Sequence, residues 1–293
     1  MEETFLSSSD DPQFEPPLNS EPQVPVPVVV DPFPPLGCPP ISPSPKSVEN
    51  PVWSGWDVLQ IAGLALGSVF VLQAIILFGA KRFVYPTATL RDLTQKAVLA
   101  ILAQLLAYVV VAIFMVTLVE GKYHVRFWQA IRWNWPGNAM VKLLGLGVLT
   151  VALDFLGRFL PMPKNTPFEQ FFARPLDAYL ISVFAITLGP LMEELFFRGF
   201  LYPVIARKLG VIWGVVLTAL PFGLIHSVQY GNAWSAVLVV CLVGVVLTTV
   251  RAVTKSVAAS FLVHVGYNGT LMFLAALATD GFRHMDKAGI LVR

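Results

Sequence analysis

The longest stretch without Asp, Glu, Lys or Arg constrains this chain more than any other feature. It runs from Leu209 to Val250 and covers 42 residues. A membrane-spanning helix needs about 20 apolar residues, because the hydrocarbon core of a bilayer is ~30 Å thick. The run is long enough for two such helices, and Gly231 followed by Asn232 is typical of a turn between them. The sequence therefore predicts two membrane spans that meet near residue 231.

Other apolar windows of spanning length lie on both sides of this run. They are Val58–Ala80, Ala97–Val119, Asn138–Leu160, Ala178–Ala206 and Ser256–Thr279. Only 13% of the residues are charged, against about one quarter in ordinary soluble domains. We predict an all-α protein, a polytopic transmembrane bundle of about 7–8 helices that encloses a polar cavity. The net charge of +2 is too small to indicate nucleic acid as a partner.

The first 52 residues have a different composition from the rest of the chain. They hold 14 of the 23 prolines and eight acidic side chains, with Lys46 as their one base. Such a segment cannot bury a core and favours polyproline II conformations. We therefore predict a disordered, acidic, Pro-rich tail over residues 1–52 and a transmembrane region over residues 53–293.

The basic residues near the predicted span ends give conflicting indications of orientation. Residues 81–96 contain four Lys or Arg and are expected on the cytoplasmic side by the positive-inside rule. The same rule places both Arg207 and Arg251 on the cytoplasmic side. The number of predicted spans between residue 96 and Arg207, however, puts these arginines on the opposite side of the membrane from residues 81–96. The three tryptophans of residues 127–135 suit an interfacial segment. The sequence leaves the orientation open.

Three charged side chains interrupt one of the apolar windows. Glu193, Glu194 and Arg198 are the only charged residues between positions 178 and 206. A charge in a bilayer costs about 2.5–3.5 kcal/mol on insertion scales, so such groups usually face the interior and mark function. Glu194 and Arg198 are four residues apart and are expected to pair. Glu193 is turned by about 100° around an α-helix and is left free to act.

Two later spans each contribute a histidine among apolar neighbours. His226 follows Phe222 by four residues, and Asn268 follows His264 by four, so each pair shares a helix face. A single histidine in a membrane span is at least as often a structural residue, hydrogen-bonded to a neighbouring carbonyl, as a catalytic one. Two histidines, an asparagine and three charged groups in three predicted helices favour one functional cavity.

These residue types suit hydrolysis. A carboxylate and an imidazole can deprotonate a water, while a second imidazole and an amide donate to the developing oxyanion. The chain contains neither Gly-x-Ser-x-Gly nor His-Glu-x-x-His. Glu193, His226 and His264 are nevertheless candidate ligands of a zinc ion with an open position. The cofactor is therefore Zn²⁺ or none, and the residues alone do not decide.

The ordered motifs resemble those of a known family. Glu-Glu-x-x-x-Arg at 193–198, Phe-x-x-x-His at 222–226 and His-x-x-x-Asn at 264–268 are similar to those of the CPBP intramembrane proteases. That family includes the CAAX prenyl endopeptidases and the Abi proteins linked to bacteriocin immunity. The resemblance covers about residues 175–275. It implies a helical bundle with a conical, water-filled cavity open to the cytosol and peptide cleavage near the end of a membrane-attached substrate.

The resemblance also implies a role for each motif residue. Glu193 with His226 would activate the water, and His264 with Asn268 would form the oxyanion site. Glu194 and Arg198, the remaining motif residues, would be close supports, and the arginine is also a candidate for meeting a substrate carboxylate. Both a metallo-type and a metal-free glutamate-type mechanism are described for the family.

The implied partners are membrane lipid and a membrane-associated peptide or protein, either prenylated or bacteriocin-like. The implied location is the plasma (inner) membrane of a prokaryote. Two other classes fit the same residues, a proton-coupled transporter and a non-proteolytic membrane scaffold. A protease requires Glu193, His226, His264 and Asn268 to converge on one cavity. A scaffold allows them to pair separately, and a transporter needs access from both sides.

Overall fold

All of the regular secondary structure in the described part of the chain is helical. The computed structural model describes residues 49–160 and 166–284, and these ranges contain no strand. Their α-helices are α1 Gly55–Gly79, α2 Leu90–Thr94, α3 Ala97–Val116, α4 Phe127–Ala130, α5 Met140–Thr150, α6 Pro175–Ile186, α7 Leu188–Glu193, α8 Tyr202–Ile225, α9 Trp234–Thr254 and α10 Val257–Ala278. The predicted all-α fold is confirmed. The predicted tail lies outside the described residues up to position 48.

Shorter helical segments of other types extend or connect the α-helices. Three are π-helical, Ala80–Val84, Thr117–Lys122 and Glu194–Leu201, and three are 3-10 helical, Gly137–Ala139, Val151–Phe159 and Pro167–Phe172. The segment Glu194–Leu201, called the π segment below, continues α7 and holds most of the charged motif. Single π-helical turns are rare and often occur at functional sites.

Six described stretches are long and apolar enough to cross a membrane. They are Gly55–Val84, Ala97–Lys122, Gly137–Phe155, Pro175–Ile225, Trp234–Thr254 and Val257–Ala278. The fourth stretch has 51 residues. One membrane crossing takes about 20 residues, so this stretch is more than twice as long as a single crossing needs. It is interrupted at Gly210, whose φ of 82° and ψ of 172° are not helical. This stretch therefore accommodates two crossings, as the sequence predicts, and the chain is a multi-pass integral membrane protein.

A capping box starts α1. The Ser54 side chain accepts from Asp57 N, and Asp57 Oδ2 accepts from Ser54 N at 2.8 Å. Asp57 is fully buried and also binds Lys122 Nζ at 2.7 Å and Tyr123 Oη at 2.6 Å. These contacts join the start of α1 to the end of the second span, so both lie at one end of the bundle.

Several chain segments meet at this end, called the N-terminal end below. Trp53 Nε1 donates to Phe200 O at 3.1 Å, and Arg207 Nη1 donates to Pro51 O at 2.8 Å. The end of the π segment and the start of α8 are thereby tied to residues 51–53. Residues 49–52, which the sequence assigns to the tail, thus include positions held against the helices.

The other end of the bundle is formed by a separate apolar cluster. Ala97 at the start of α3 packs there with Phe172, Ala178, Ile181 and Phe282. Residues 81–96 directly precede α3 and so belong to this end. The two groups of basic residues that give conflicting indications of orientation therefore lie at opposite ends of the bundle.

Two glycines allow α5 and α10 to cross in close contact. A Cβ added to Gly147 would lie 2.3 Å from Val263 O, and a Cβ added to Gly266 would lie 2.5 Å from Leu144 O. Real Cβ atoms do not approach backbone oxygens so closely, so the crossing requires glycine at both positions. Because Val263 adjoins His264, this crossing also sets the position of the histidine.

We expect Gly147→Ala to destabilise the protein by about 1–3 kcal/mol, because the added methyl group forces the helices apart. The thermal midpoint in detergent should fall by roughly 5 °C. Gly145→Ala is the matched control, because a Cβ at Gly145 has nothing within 4 Å. Alanine is also the better helix former, so this control should be neutral or slightly stabilising. Equal midpoints for the two variants would contradict the tight crossing.

Candidate active site

A cavity of about 450 Å³ lies among the helices and contains most of the predicted site residues. Glu193, His226, His264 and Asn268 all line it. Its wall extends to Gln229 and Tyr230, which connect α8 to α9 at the end opposite the N-terminal end. The volume is within the ~300–1,000 Å³ of ordinary ligand sites. Four residues separated by up to 75 positions in sequence therefore face one space.

The charged motif forms a buried ion pair beside this cavity. Arg198 Nη1 lies 2.9 Å from Glu194 Oε1, and both side chains are 0% exposed. The pair spans four residues of the π segment, as the spacing predicts. Two ions removed from water are stable only when their remaining polar atoms are also bonded.

Arg198 satisfies this requirement with every nitrogen. Its Nη2 donates to Gly244 O at 3.2 Å and its Nε to Thr248 Oγ1 at 3.3 Å. Its guanidinium carbon also lies 4.3 Å from the centroid of the Phe222 ring. Arg198 does not line the cavity. Three of its five N–H donors are thus bonded within the protein. A contact of the arginine with a substrate carboxylate stays a prediction.

Glu194 in turn holds His264. His264 Nδ1 lies 2.9 Å from Glu194 Oε1, and Ser260 Oγ donates to Glu194 Oε2 at 2.6 Å. A carboxylate paired with Arg198 accepts hydrogen bonds, so His264 Nδ1 carries a proton and the ring orientation is set. The other nitrogen, Nε2, is directed toward the cavity. The interaction between Glu194 and His264 was not predicted from the sequence.

Glu193 lies between the two histidines. Its Oε1 is 3.8 Å from His226 Nε2, and its Oε2 is 3.7 Å from His264 Nε2. The Glu193 side chain is 22% exposed, in contrast to the fully buried Glu194. Of the two adjacent carboxylates, Glu194 is bonded within the protein and Glu193 is open to the cavity.

Backbone carbonyls orient the two remaining side chains. His226 Nδ1 lies 2.7 Å from Phe222 O, and Asn268 Nδ2 donates to Ala185 O at 2.7 Å. A carbonyl oxygen only accepts, so His226 Nδ1 carries a proton, and in the neutral form of the ring Nε2 is then an acceptor that faces Glu193. One N–H of Asn268 is used by Ala185, and its second N–H remains for another acceptor.

Several polar residues of this region were not identified from the sequence. The cavity is also lined by Gln104, Tyr108, Gln229, Tyr230 and Tyr267. The buried pair is hydrogen-bonded to Ser260 and Thr248. Ser260 precedes His264 by four residues, so helical spacing was a usable signal for it. Burial raises the pKa of Tyr230 to about 12, with a further increase from the Asp154 and Glu193 carboxylates. Its hydroxyl therefore remains a hydrogen-bond donor at neutral pH.

The three candidate zinc ligands do not form a metal site. Catalytic zinc is held by three protein ligands at about 2.0–2.2 Å. Within residues 49–160 and 166–284, no three His, Cys, Asp or Glu side chains are arranged to hold a metal ion. Glu193, His226 and His264 converge, but the donor set as arranged does not fit zinc.

Comparison with protein families matches residues 175–270 to the family described as Type II CAAX prenyl endopeptidase Rce1-like. No curated protein and no solved structure matches the chain. The matched region contains the three motifs and all the residues described above that contact Glu193. The resemblance predicted from those motifs is thereby confirmed for residues 175–270.

Proposed function

We propose that this chain, whose residues 175–270 match the family described as Type II CAAX prenyl endopeptidase Rce1-like, is an intramembrane endopeptidase that hydrolyses a peptide bond of a membrane-associated protein or peptide. The observation that carries the proposal is the position of Glu193 between the Nε2 atoms of His226 and His264 at the wall of the cavity. We also propose residues 175–275 as the protease core, within a transmembrane region that follows the Pro-rich tail.

Glu193 and His226 are suited to hold the attacking water. Both Glu193 Oε1 and neutral His226 Nε2 are acceptors, and they lie 3.8 Å apart. One water can donate a hydrogen bond to each, which directs its oxygen lone pair into the cavity. Glu193 takes a proton as the water oxygen bonds to the substrate carbonyl carbon. It then passes that proton to the leaving amine nitrogen as the carbon–nitrogen bond breaks.

His264 and Asn268 are suited to stabilise the oxyanion of the tetrahedral intermediate. The second N–H of Asn268 is one donor. With a second proton, taken from solvent before the water attacks and kept throughout the reaction, His264 stays bonded to Glu194 through Nδ1, and its Nε2–H is the other donor. Preorganised donors of this kind contribute about 3–4 kcal/mol each to transition-state stabilisation.

The geometry supports a protease over the two other classes. A scaffold would pair the polar groups separately, yet four of them line one cavity. A transporter needs access from both ends, whereas the cavity walls reach the connection between α8 and α9 and do not include residues 49–57 of the N-terminal end. We propose that the cavity end faces the cytosol, that the substrate is a prenylated or bacteriocin-like peptide, and that the protein resides in a prokaryotic plasma membrane.

Purified protein in liposomes should cleave a farnesylated peptide that carries a fluorophore and a quencher on either side of the scissile bond. We expect His226→Ala to lower the rate by at least about 100-fold, because the water loses one of its two acceptors. His284→Ala is a matched control, since His284 is an exposed histidine outside the cavity. The same peptide without the prenyl group tests the substrate class. Full activity of His226→Ala would contradict the proposed mechanism.

A further inference from the structure

We propose that Glu49 and Trp53, which lie outside the family match, are positioning residues for this site. They hold the π segment and the start of α10 in the arrangement in which Glu194 meets His264. Residues 49–53 are called the strap below. The proposal rests on the proposed function only for its activity readout.

Trp53 holds the π segment. It is 1% exposed, its Nε1 donates to Phe200 O at 3.1 Å, and its ring centroid lies 4.6 Å from that of Phe200. Phe200 is 0% exposed and follows Arg198 by two residues. A buried carbonyl that loses its donor is left unsatisfied, so this hydrogen bond restrains the backbone next to the ion pair.

Glu49 holds the start of α10. It is 2% exposed and binds Arg251 Nη1 at 3.0 Å, Arg251 Nη2 at 3.3 Å and Arg132 Nη1 at 3.0 Å. The backbone oxygen of Arg132 accepts from Val257 N, the first residue of α10, at 3.0 Å. Arg132 therefore links the strap to the helix that carries His264.

The two contacts of the strap converge on one interaction. Glu194 belongs to the segment that Trp53 holds, and Ser260 and His264 belong to the helix that Glu49 holds. Glu194 binds both of them, at 2.6 and 2.9 Å. A displacement of about 1 Å between the π segment and α10 would break these hydrogen bonds. Misplacement of this size can reduce the rate of catalysis by about 100-fold. Trp53 and Glu49 do not line the 450 Å³ cavity, so their loss should leave substrate binding intact.

Hydrogen–deuterium exchange of the full chain in detergent tests this directly. In Trp53→Phe we expect exchange of residues 194–201 to accelerate by about tenfold, the effect of losing one buried hydrogen bond. In Glu49→Gln we expect the acceleration at residues 257–260. Trp56→Phe is the matched control, because Trp56 is three residues away and 67% exposed, and it should leave both segments unchanged.

The cleavage assay supplies a second readout. For Trp53→Phe and Glu49→Gln we expect kcat with the farnesylated peptide to fall by about tenfold or more while KM stays within twofold. Unchanged exchange in both segments, or a uniform increase throughout the helices, would overturn the strap proposal. A wild type that cleaves no peptide would overturn the proposed function, while the exchange measurements would still decide the role of the strap.

Discussion

Replacing Glu193 by Gln should reduce peptide cleavage by about 10²–10⁴-fold, the usual contribution of a general base. Glutamine keeps the shape of the side chain but cannot take the proton of the water. The amide also presents a donor to one of the two histidines, which disturbs the acceptor pair that holds the water. We expect kcat to account for nearly all of the loss, because the cavity wall is otherwise unchanged.

The fold should tolerate this change. Glu193 is 22% exposed, and its contacts to the histidines are longer than hydrogen bonds, at 3.7 and 3.8 Å. We therefore expect the thermal midpoint to stay within about 2 °C of the wild-type value. Glu169→Gln is the matched control, because Glu169 is an exposed glutamate outside the cavity and its replacement should leave the rate unchanged. If Glu193→Gln retained more than a tenth of the wild-type rate, Glu193 would not be the base.

Replacing Arg198 by Met should produce the largest loss of stability, about 3–5 kcal/mol. The substitution leaves the Glu194 carboxylate, which is 0% exposed, without its cation. It also removes the two hydrogen bonds that Arg198 donates to Gly244 O and Thr248 Oγ1, and Gly244 O keeps only its bond from Thr248 Oγ1 among side-chain donors. We expect the thermal midpoint in detergent to fall by about 10 °C or more, with a lower yield of monodisperse protein.

A double variant separates the missing charge from the lost packing. Glu194→Gln combined with Arg198→Met removes both charges and should recover a large part of the stability lost in Arg198→Met alone. Cleavage should remain low, because His264 loses its carboxylate partner. Arg283→Met is a control, since Arg283 and Asp280 form an exposed pair that should not affect the midpoint. Equal midpoints for the wild type and Arg198→Met would show that the buried pair does not stabilise the fold.

Local patterns in the sequence were sufficient to predict the helices and to identify the charged motif, the two histidines and the asparagine. Apolar runs of membrane length predict helical spans, because a segment in lipid must satisfy its backbone hydrogen bonds within itself. The turn at Gly231 lies between α8 and α9, as expected, and Glu194 pairs with Arg198 at the predicted spacing. These features depend on residues close in the chain, and the sequence displays such relations directly.

Contacts between distant residues were not predictable in the same way. Trp53 donates to a carbonyl 147 residues away, and Glu49 pairs with an arginine 202 residues away. No periodicity connects such positions. The π-helical backbone of Glu194–Leu201 was also missed, because the expected rotation of about 100° per residue describes an α-helix.

The sequence by itself determined a multi-pass helical protein with its charged motif, two histidines and an asparagine within apolar helices, because the cost of polar groups in lipid makes such residues conspicuous. Only the tertiary structure decided which side chains from separate helices contact one another. In the structure, Glu194 is hydrogen-bonded to His264, and Arg198 does not line the cavity. Glu193 lines the cavity and lies between the imidazoles of His226 and His264. The physical reason is that hydrogen-bond partners and burial depend on how separate helices pack, and helix packing in a membrane follows from close contacts such as Gly147 against α10.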